Sequence, residues 1–247
     1  MRGIIIKDDK RYDYTEHYLN ECGYELCDEC TPPEDLDFIV FPFMGAVDCA
    51  VYDESYFKRL RSSTIIFSGI KSEYLEKVSM RYSLRYYVMA NEKNVQKKNA
   101  IPTSEGVIAY LIANRVDTIS GSRILVIGYG NCGSDLAKKL NGLGAHVYAL
   151  VRNKEKENSA RADGIQPIYL DTLLVGHGFD VVINTVPEHI LTNEMVDEMD
   201  ALIIDISSKP YGFDDNIAII LPGIPGKYAV RTAGFILGKF IETILRG

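Results

Sequence analysis

A largely apolar run at residues 123–127 leads directly into a Gly-x-Gly-x-x-Gly turn at residues 128–133. Continuous apolar strands are typical of parallel sheets that are buried on both faces. In such a turn, Gly128 permits the tight bend, Gly130 lets a diphosphate approach the backbone, and Gly133 allows close packing of helix on strand. The helix that follows offers unpaired N–H groups to phosphates. The segment therefore predicts a Rossmann-type dinucleotide-binding unit. Its predicted cofactor-binding residues here are Gly128, Tyr129, Gly130, Asn131, Cys132 and Gly133.

Apolar runs alternate with helix-like stretches along the rest of the chain. Before the turn, a helix is expected at residues 72–81, and strands are predicted at 3–6, 37–42, 64–69 and 85–89. After the turn, a helix should reach about residue 143, and strands are predicted at 145–151, 165–170, 180–185, 201–206 and 217–221. Alternating strands and helices indicate parallel sheets with helices on their faces. The predicted fold class is α/β, with a Rossmann-type doubly wound parallel sheet preceded by a smaller α/β domain, to which the C-terminal helix returns.

The chain is long enough for two modest domains. Residues 91–99 are polar and lysine-rich and predict a loop, after which Pro102 precedes a helix that Thr103 or Ser104 would cap. The predicted segments are, in order, a smaller α/β N-terminal domain on the substrate side (1–100), a bridging helix (101–120), a Rossmann dinucleotide-binding domain (121–226) and a C-terminal helix that packs back on the N-terminal domain (227–247).

Composition and charge argue against several classes of function. The net charge of −7 disfavours broad binding of nucleic acid or of an anionic membrane. No run of about 18 apolar residues predicts a membrane span, and the N-terminus becomes charged too early for a secretory signal, so we expect a cytoplasmic protein. Cys22, Cys27 and Cys30 have no suitably spaced fourth ligand nearby, so free thiols are favoured over a metal site.

The end of the second Rossmann strand bears on the choice of cofactor. NAD-binding sites usually place Asp or Glu there, whereas this chain has Arg152, Asn153 and Lys154. Cations attract a ribose 2′-phosphate that a carboxylate would repel, so NADP is favoured over NAD. The alternative is a solvated turn in which Glu155 and Glu157 dilute the positive field.

Loops at the carboxyl ends of parallel strands line the ligand crevice. Three such loops, at 184–187, 205–210 and 222–226, should therefore form a cleft. The first, with Asn184, Thr185, Val186 and Pro187, should flank the nicotinamide ribose of the cofactor. The last is rich in Pro and Gly and is expected to form a wall of the substrate site.

Several of these segments together resemble the family of dipicolinate synthase A subunits. The resemblance covers roughly residues 64–245, and the first 60 residues are divergent and shorter than the family's N-terminal domain. There, Lys7 and Asp8 replace a glycine pair, while Asp9 and Arg11 match the Asp and Arg that follow it. The segments that carry the resemblance are residues 66–70, 101–106, 128–133, 183–187, 204–210, 221–226 and 231–234.

The resemblance implies an NADP-dependent oxidoreductase that oxidises dihydrodipicolinate to dipicolinate, a spore metabolite, together with a flavoprotein-like B subunit. A dicarboxylate substrate requires cations, for which Arg231, Lys209 and Arg11 are candidates. Loss of a ring proton requires a base, for which Glu105 is the first candidate, although it could instead stabilise the N-terminus of the bridging helix. The expected catalytic residues are thus Glu105, Lys209 and Arg231. The expected substrate-binding residues are Asp9, Arg11, Ser68, Gly69, Thr103, Ser104, Ser207, Ser208, Gly223, Pro225, Gly226 and Thr232.

Two other functions remain open on the sequence. A relative of the D-2-hydroxyacid dehydrogenases would have a similar order of domains, but such enzymes use a late histidine, and the last histidine here is His189. A non-catalytic NADP-binding paralogue or partner subunit would also retain the glycine turn. A homodimer is plausible in this fold, but no residue pattern requires one.

Overall fold

The computed structural model describes residues 1–46, 51–115, 117–173 and 178–247. These residues divide into two compact units, Met1–Lys98 with Val230–Gly247, and Asn99–Ala229. The strands are β1 (Arg2–Ile5), β2 (Glu25–Leu26), β3 (Phe38–Val40), β4 (Ile65–Ser68), β5 (Arg85–Val88), β6 (Arg123–Ile127), β7 (His146–Leu150), β8 (Gln166–Ile168), β9 (Val181–Asn184), β10 (Leu202–Asp205) and β11 (Ile219–Ile220). The α-helices are α1 (Arg11–Glu21), α2 (Glu54–Arg59), α3 (Glu73–Tyr82), α4 (Lys93–Asn114), α5 (Asn131–Gly142), α6 (Lys154–Ala162), α7 (Asn193–Asp197), α8 (Pro225–Tyr228) and α9 (Val230–Arg246). None of the helices among the described residues is long and apolar enough to cross a membrane.

The first unit is built on a parallel sheet with the strand order β2-β1-β3-β4-β5. Successive residues of a strand point to opposite faces, and both faces of this sheet are covered. Phe38 and Val40 belong to the core that includes residues of α1 and α9. Ile39, between them, belongs to the opposite core, which includes residues of α2 and α3. Strand β3 is therefore apolar at every position rather than at every second one.

Helix α9 packs closely on α1 within the first unit. A Cβ at Gly234 would lie 2.3 Å from the backbone oxygen of Arg11, and one at Gly238 would lie 2.7 Å from the Tyr18 ring. Thr15 Oγ1 lies 3.0 Å from the carbonyl oxygen of Gly234 and donates to it. The two glycines thus let the helix backbones approach, and the C-terminal helix returns to the first unit, as the sequence predicts.

The second unit contains a six-stranded parallel sheet with the order β11-β10-β9-β6-β7-β8. Strand β6 is central and pairs with β7 on one side and β9 on the other. This is the strand order of a doubly wound dinucleotide-binding sheet, whose ligand crevice lies where the order reverses, between β6 and β9. The predicted fold class is confirmed.

The start of α4 differs from the sequence prediction. The helix begins at Lys93 and ends at Asn114, so the predicted loop at 91–99 is wrong, as are the bounds of 101–120 for the bridging helix. Pro102 lies inside the helix and removes only one backbone hydrogen bond. Val95, which is 1% exposed, anchors the first turns in the core of the first unit.

Thr103 and Ser104 therefore do not cap this helix. Their hydroxyls donate to the carbonyl oxygens four residues earlier, from Thr103 to Asn99 at 2.7 Å and from Ser104 to Ala100 at 2.8 Å. This is the usual hydrogen bond of a hydroxyl side chain in a helix interior.

The close approach of α9 to α1 predicts that Gly234→Ala lowers the free energy of unfolding by about 1–3 kcal/mol, because the added methyl group meets backbone atoms. Gly142→Ala in α5 is the matched control, since a Cβ there meets no atom within 4 Å. It should be neutral or stabilise by up to about 1 kcal/mol. Urea unfolding measures both variants. Wild-type stability in Gly234→Ala would contradict the close approach.

Candidate functional site

The glycine turn joins β6 to α5 with very little space. Gly128 has a φ of 92°, which favours glycine, and a Cβ there would lie 2.8 Å from Thr185 Oγ1. A Cβ at Gly133 would lie 2.2 Å from the carbonyl oxygen of Gly128, so glycine is needed for the helix to start this close to the strand.

The backbone at Gly130 fits a diphosphate. A Cβ at this position would meet no atom within 4 Å, so the backbone faces open space. Gly130 is the N-cap of α5 and has no side chain to occupy the N–H groups of the first turn. Those N–H groups and the helix dipole favour an anion.

A pocket of about 790 Å³ opens beside this turn. It lies at the carboxyl ends of β6, β7, β8 and β9, which is where a sheet of this order holds its ligand, and its volume suits a small molecule or cofactor. Its lining residues are Gly128, Tyr129, Gly130, Leu150, Val151, Arg152, Lys156, Tyr169, Leu170, Asp171, Val186, Pro187, Glu188 and Ile190. The second unit therefore has a pocket of the size and position expected for a dinucleotide.

Two cations, Arg152 and Lys156, line the pocket near the end of β7. Arg152 is exposed and has no ion-pair partner among the described residues. The other two residues of the predicted cluster do not line the pocket. Asn153 caps α6 by accepting the backbone N–H of Lys156 at 2.9 Å, and Lys154 pairs with Glu157. Sequence reasoning missed Lys156, although the signal was present, because an Asn N-cap places the residue three positions later in the first helical turn.

Glu157 organises the side of the pocket next to α6. Its carboxylate is 9% exposed, pairs with Lys154 at 2.9 Å and Arg161 at 3.0 Å, and accepts a hydrogen bond from Tyr169 at 2.8 Å. The bonds from Lys154, Tyr169 and Arg161 lower the pKa of Glu157 to about 2. Since Tyr169 lines the pocket, Glu157 holds part of its wall in place, a role that the sequence did not indicate.

The loop after β9 forms the opposite wall. Val186 and Pro187 line the pocket, whereas Asn184 is 1% exposed and acts from behind them. Asn184 donates to the carbonyl oxygen of Val186 at 2.7 Å and accepts its backbone N–H at 3.1 Å. Thr185 donates to the carbonyl oxygen of Ile127 at 2.8 Å, which ties the loop to β6.

The three residues of the predicted turn that are not glycine, Tyr129, Asn131 and Cys132, differ in burial and in their hydrogen-bond partners. Tyr129 is buried, and its hydroxyl donates to Asp163 at 2.9 Å. Asn131 is the exposed first residue of α5. Burial raises the pKa of the Cys132 thiol, although a hydrogen bond with Thr103 opposes that rise. The thiol of Cys132 is therefore held in its neutral form.

The loops after β10 and β11 carry several predicted substrate residues. Ser207 is buried, with Oγ 3.3 Å from the carbonyl oxygen of Ser208. Ser208 and Lys209 are exposed, and Lys209 has no ion-pair partner within the described part of the chain. Gly223 and Gly226 close a turn in which Gly226 N–H donates to the Gly223 oxygen at 3.0 Å, and Pro225 between them begins α8.

Glu105 lies in the middle of α4. It is therefore not at the N-terminus of the bridging helix, and that alternative is wrong. Its carboxylate is 59% exposed and lies 3.3 Å from Lys139 Nζ, which also pairs with Asp135 at 2.8 Å. Glu105 is thus an exposed residue that pairs with a neighbouring lysine, and these contacts give no support to its predicted role as a base.

In the first unit, Asp9, Arg11 and Gly69 meet at Phe43. Asp9 receives two hydrogen bonds from the Arg11 guanidinium, at 2.9 and 2.7 Å, and the guanidinium carbon lies 3.8 Å from the centre of the Phe43 ring. A Cβ at Gly69 would lie 2.2 Å from that ring. Burial opposes ionisation of Asp9, but the hydrogen bonds from Arg11 prevail and lower the pKa of Asp9 below its usual value. Arg11, 5% exposed, is thus largely occupied by Asp9.

The other predicted substrate residues of the first unit have contacts of their own. Ser68 is fully buried, donates to the carbonyl oxygen of Ile70 at 2.6 Å and shares a hydrogen bond with the Tyr86 hydroxyl. Arg231 and Thr232 are exposed on the first turn of α9, and the Arg231 guanidinium lies 5.3 Å from the centre of the Phe235 ring.

No group of three or more His, Cys, Asp or Glu side chains among residues 1–46, 51–115, 117–173 and 178–247 is arranged to hold a metal ion. Cys22 and Cys27 are half-buried, Cys30 is exposed, and all three are free thiols.

Comparison with known proteins gives consistent matches. Residues 88–202 match the family model of the D-isomer specific 2-hydroxyacid dehydrogenase NAD-binding domain. The A subunit of dipicolinate synthase from Bacillus subtilis is 31% identical over 235 residues, covering 87% of this chain and 79% of the relative. These matches indicate a dehydrogenase-type oxidoreductase with a nicotinamide dinucleotide cofactor.

Two crystal structures extend the match to the whole chain. The structure of the dipicolinate synthase A subunit from Bacillus halodurans is 24% identical, with a TM-score of 0.89 over 100% of this chain and 98% of that one. The structure of the corresponding Bacillus subtilis protein is 26% identical, with a TM-score of 0.88 over 100% of this chain and 96% of that one. The match therefore includes the first 60 residues, in which the sequence diverges.

The Glu157 cluster predicts a dependence of stability on acid pH. Because the pKa of Glu157 is lower in the folded state, its stabilisation is fully present above the usual value of 4.5 and is lost as the pH falls towards about 2. The difference in Tm between wild type and Glu157→Gln should therefore shrink between about pH 5 and pH 2. Glu155→Gln, on the same helix and 78% exposed, is the control for the loss of one negative charge from α6. A constant difference for Glu157→Gln would contradict the assigned pKa.

Proposed function

The chain belongs to the family of dipicolinate synthase A subunits, and from that membership we propose that it is an NADP-dependent oxidoreductase that oxidises dihydrodipicolinate to dipicolinate. A bound NADP would supply the acceptor for the hydride that the dihydropyridine ring loses as it becomes aromatic, and a base or water would take the accompanying proton. The chain supplies the binding residues: the glycine turn for the diphosphate, and the wall at 186–188 beside the rest of the dinucleotide.

The preference for NADP rests on Arg152. This side chain lines the pocket at the end of β7, where NAD-binding sites usually have a carboxylate, and no ion pair within the described residues neutralises it. Lys156 adds a second cation from the first turn of α6, and within the described residues it pairs with the exposed Glu155 carboxylate at 3.4 Å. Two cations at this position favour a 2′-phosphate over a ribose hydroxyl.

Lys209 and Arg231 are the proposed partners of the substrate carboxylates. Neither side chain has an ion-pair partner among the described residues, so each has hydrogen-bond donors to offer. Arg11 is the weaker candidate, because Asp9 already accepts two of its donors. We also propose that a flavoprotein-like B subunit works with this chain, since the Bacillus subtilis relative is named as one subunit of a synthase, and that both act in the cytoplasm.

A second candidate function is that of a 2-hydroxyacid dehydrogenase, which the matched NAD-binding family model favours. Such enzymes use a histidine late in the chain, and this sequence has none after His189. A non-catalytic NADP-binding paralogue is the third candidate. Steady oxidation of a 2-hydroxy acid with NAD would favour the second candidate, and tight NADPH binding without turnover of any substrate would favour the third.

The proposed reaction predicts that the protein, with NADP and with the B subunit of a dipicolinate synthase present, converts dihydrodipicolinate to dipicolinate with equal formation of NADPH. Ultraviolet absorbance follows both products. Arg231→Ala should raise the KM for dihydrodipicolinate about 10- to 100-fold, because a charge-assisted contact is lost, with NADPH affinity unchanged. Equal loss of substrate and cofactor binding would instead indicate misfolding, and no turnover under any of these conditions would refute the reaction.

The proposed cofactor predicts tighter binding of NADPH than of NADH, measured by fluorescence titration. Arg152→Ala should weaken NADPH binding about 10- to 100-fold and leave NADH binding nearly unchanged, since only NADPH carries the 2′-phosphate. Lys97→Ala is the control, because Lys97 is an exposed lysine of α4 that does not line the pocket. Equal losses for both nucleotides in Arg152→Ala would contradict the assignment.

A further inference from the structure

A buried carboxylate lies between the two loops that follow β9 and β10. Asp205 is the last residue of β10 and is fully buried. It pairs in register with Asn184, the last residue of β9. Among the described residues, no cation pairs with it. Burying a carboxylate without a counter-ion is costly unless N–H donors satisfy it, so its surroundings must supply them.

Four N–H groups provide that compensation, and they come from both loops. One carboxylate oxygen of Asp205 accepts the backbone N–H of Ser207 at 2.7 Å. The other accepts the backbone N–H groups of Gly212 at 2.8 Å and Phe213 at 3.1 Å, together with the Asn184 side-chain amide at 2.9 Å. The carboxylate thus closes the loop at 207–213 on itself and joins it to the loop after β9.

The link continues to the pocket wall through Asn184. The same side-chain nitrogen that donates to Asp205 also donates to the carbonyl oxygen of Val186, and the side-chain oxygen accepts the Val186 N–H. Val186 and the next two residues line the cofactor pocket. Gly212 packs directly over this segment, since a Cβ there would lie 2.3 Å from Asn184 Nδ2 and 2.9 Å from the carbonyl oxygen of Val186.

We propose that Asp205 is the positioning residue for cofactor binding, which holds the loops after β9 and β10 in the shape that a nicotinamide dinucleotide requires. Asp205 does not itself line the pocket and acts through Asn184 and Val186. The alternative is that the network only stabilises the fold. Four N–H donors from two loops converge on this one carboxylate, and a fully satisfied buried network of this kind fixes the groups that it joins, which favours a positioning role. The proposal relies on binding of a nicotinamide dinucleotide and not on NADP or on the reaction.

Two variants disturb the network differently. Asp205→Asn replaces one acceptor oxygen by an NH₂ group, which then faces either the Ser207 N–H or the three N–H donors of Gly212, Phe213 and Asn184. Gly212→Ala retains the carboxylate but inserts a methyl group between the loops. Matched controls are Asp180→Asn, whose carboxylate accepts the Arg123 N–H at the opposite edge of the same sheet, and Gly142→Ala, whose added methyl meets no atom within 4 Å.

The experiment measures the Kd for NADPH and for NADH by fluorescence titration, and the Tm of each protein without cofactor. In both network variants, the Kd for the nucleotide that the wild-type protein binds should rise by a factor of about ten or more. This rise should exceed any rise in Kd that the control variants show. The thermal shift that saturating cofactor produces should shrink accordingly. Wild-type Kd values in either folded variant, even with a lowered Tm, would assign the network to stability alone and overturn the proposal.

Two further outcomes are also decisive. If neither network variant folds while both controls do, the network maintains the fold itself, and the proposal is overturned. If the wild-type protein binds neither nucleotide, both the proposed function and the positioning role are refuted. If the wild-type protein binds a nucleotide and the network variants bind it equally well, only the positioning role is refuted.

Discussion

The approach of Gly133 to the carbonyl oxygen of Gly128 is the constraint on which the cofactor site depends. A Cβ at Gly133 would lie 2.2 Å from that oxygen, so α5 can begin this close to the end of β6 only with glycine at that position. The close start directs the N–H groups of the first turn of α5 towards the space above Gly130. Strand β6 in turn lies between β7 and β9, so the loops that follow those strands border the same pocket.

Two layers of contacts shape this pocket. The inner layer presents Arg152, Lys156 and the backbone of the glycine turn. Behind it, Glu157 holds Tyr169 on one side and Asn184 holds Val186 on the other. Supporting hydrogen bonds of this kind fix the residues that contact a ligand before the ligand arrives. In the first unit, the paired Asp9 and Arg11 over Phe43 form a comparably fixed cluster, which leaves Arg11 with few free donors.

Much of the fold could be predicted because its signals are local. The strands from β6 to β10 lie in apolar runs that end in turn residues. The glycine turn follows one of these runs and opens a helix, which is the arrangement typical of a Rossmann-type unit. Strand β2, with only Glu25 and Leu26, lacks such a run and was not predicted. The early start of α4 was missed because burial of Val95 outweighs the polar composition around it. The position of Lys156 follows from the Asn153 N-cap, which places it in the first turn of α6. The role of Asp205, in contrast, depends on contacts between two loops, which a linear pattern does not contain.

The central claim is that the pocket of the second unit holds NADP through the glycine turn and the two cations after β7. A crystal structure of the protein soaked with NADP tests it most directly. We expect the diphosphate over Gly130 and the 2′-phosphate within hydrogen-bond distance of Arg152 and Lys156. A dinucleotide bound elsewhere, or one in this pocket whose 2′-phosphate points away from both cations, would contradict the claim.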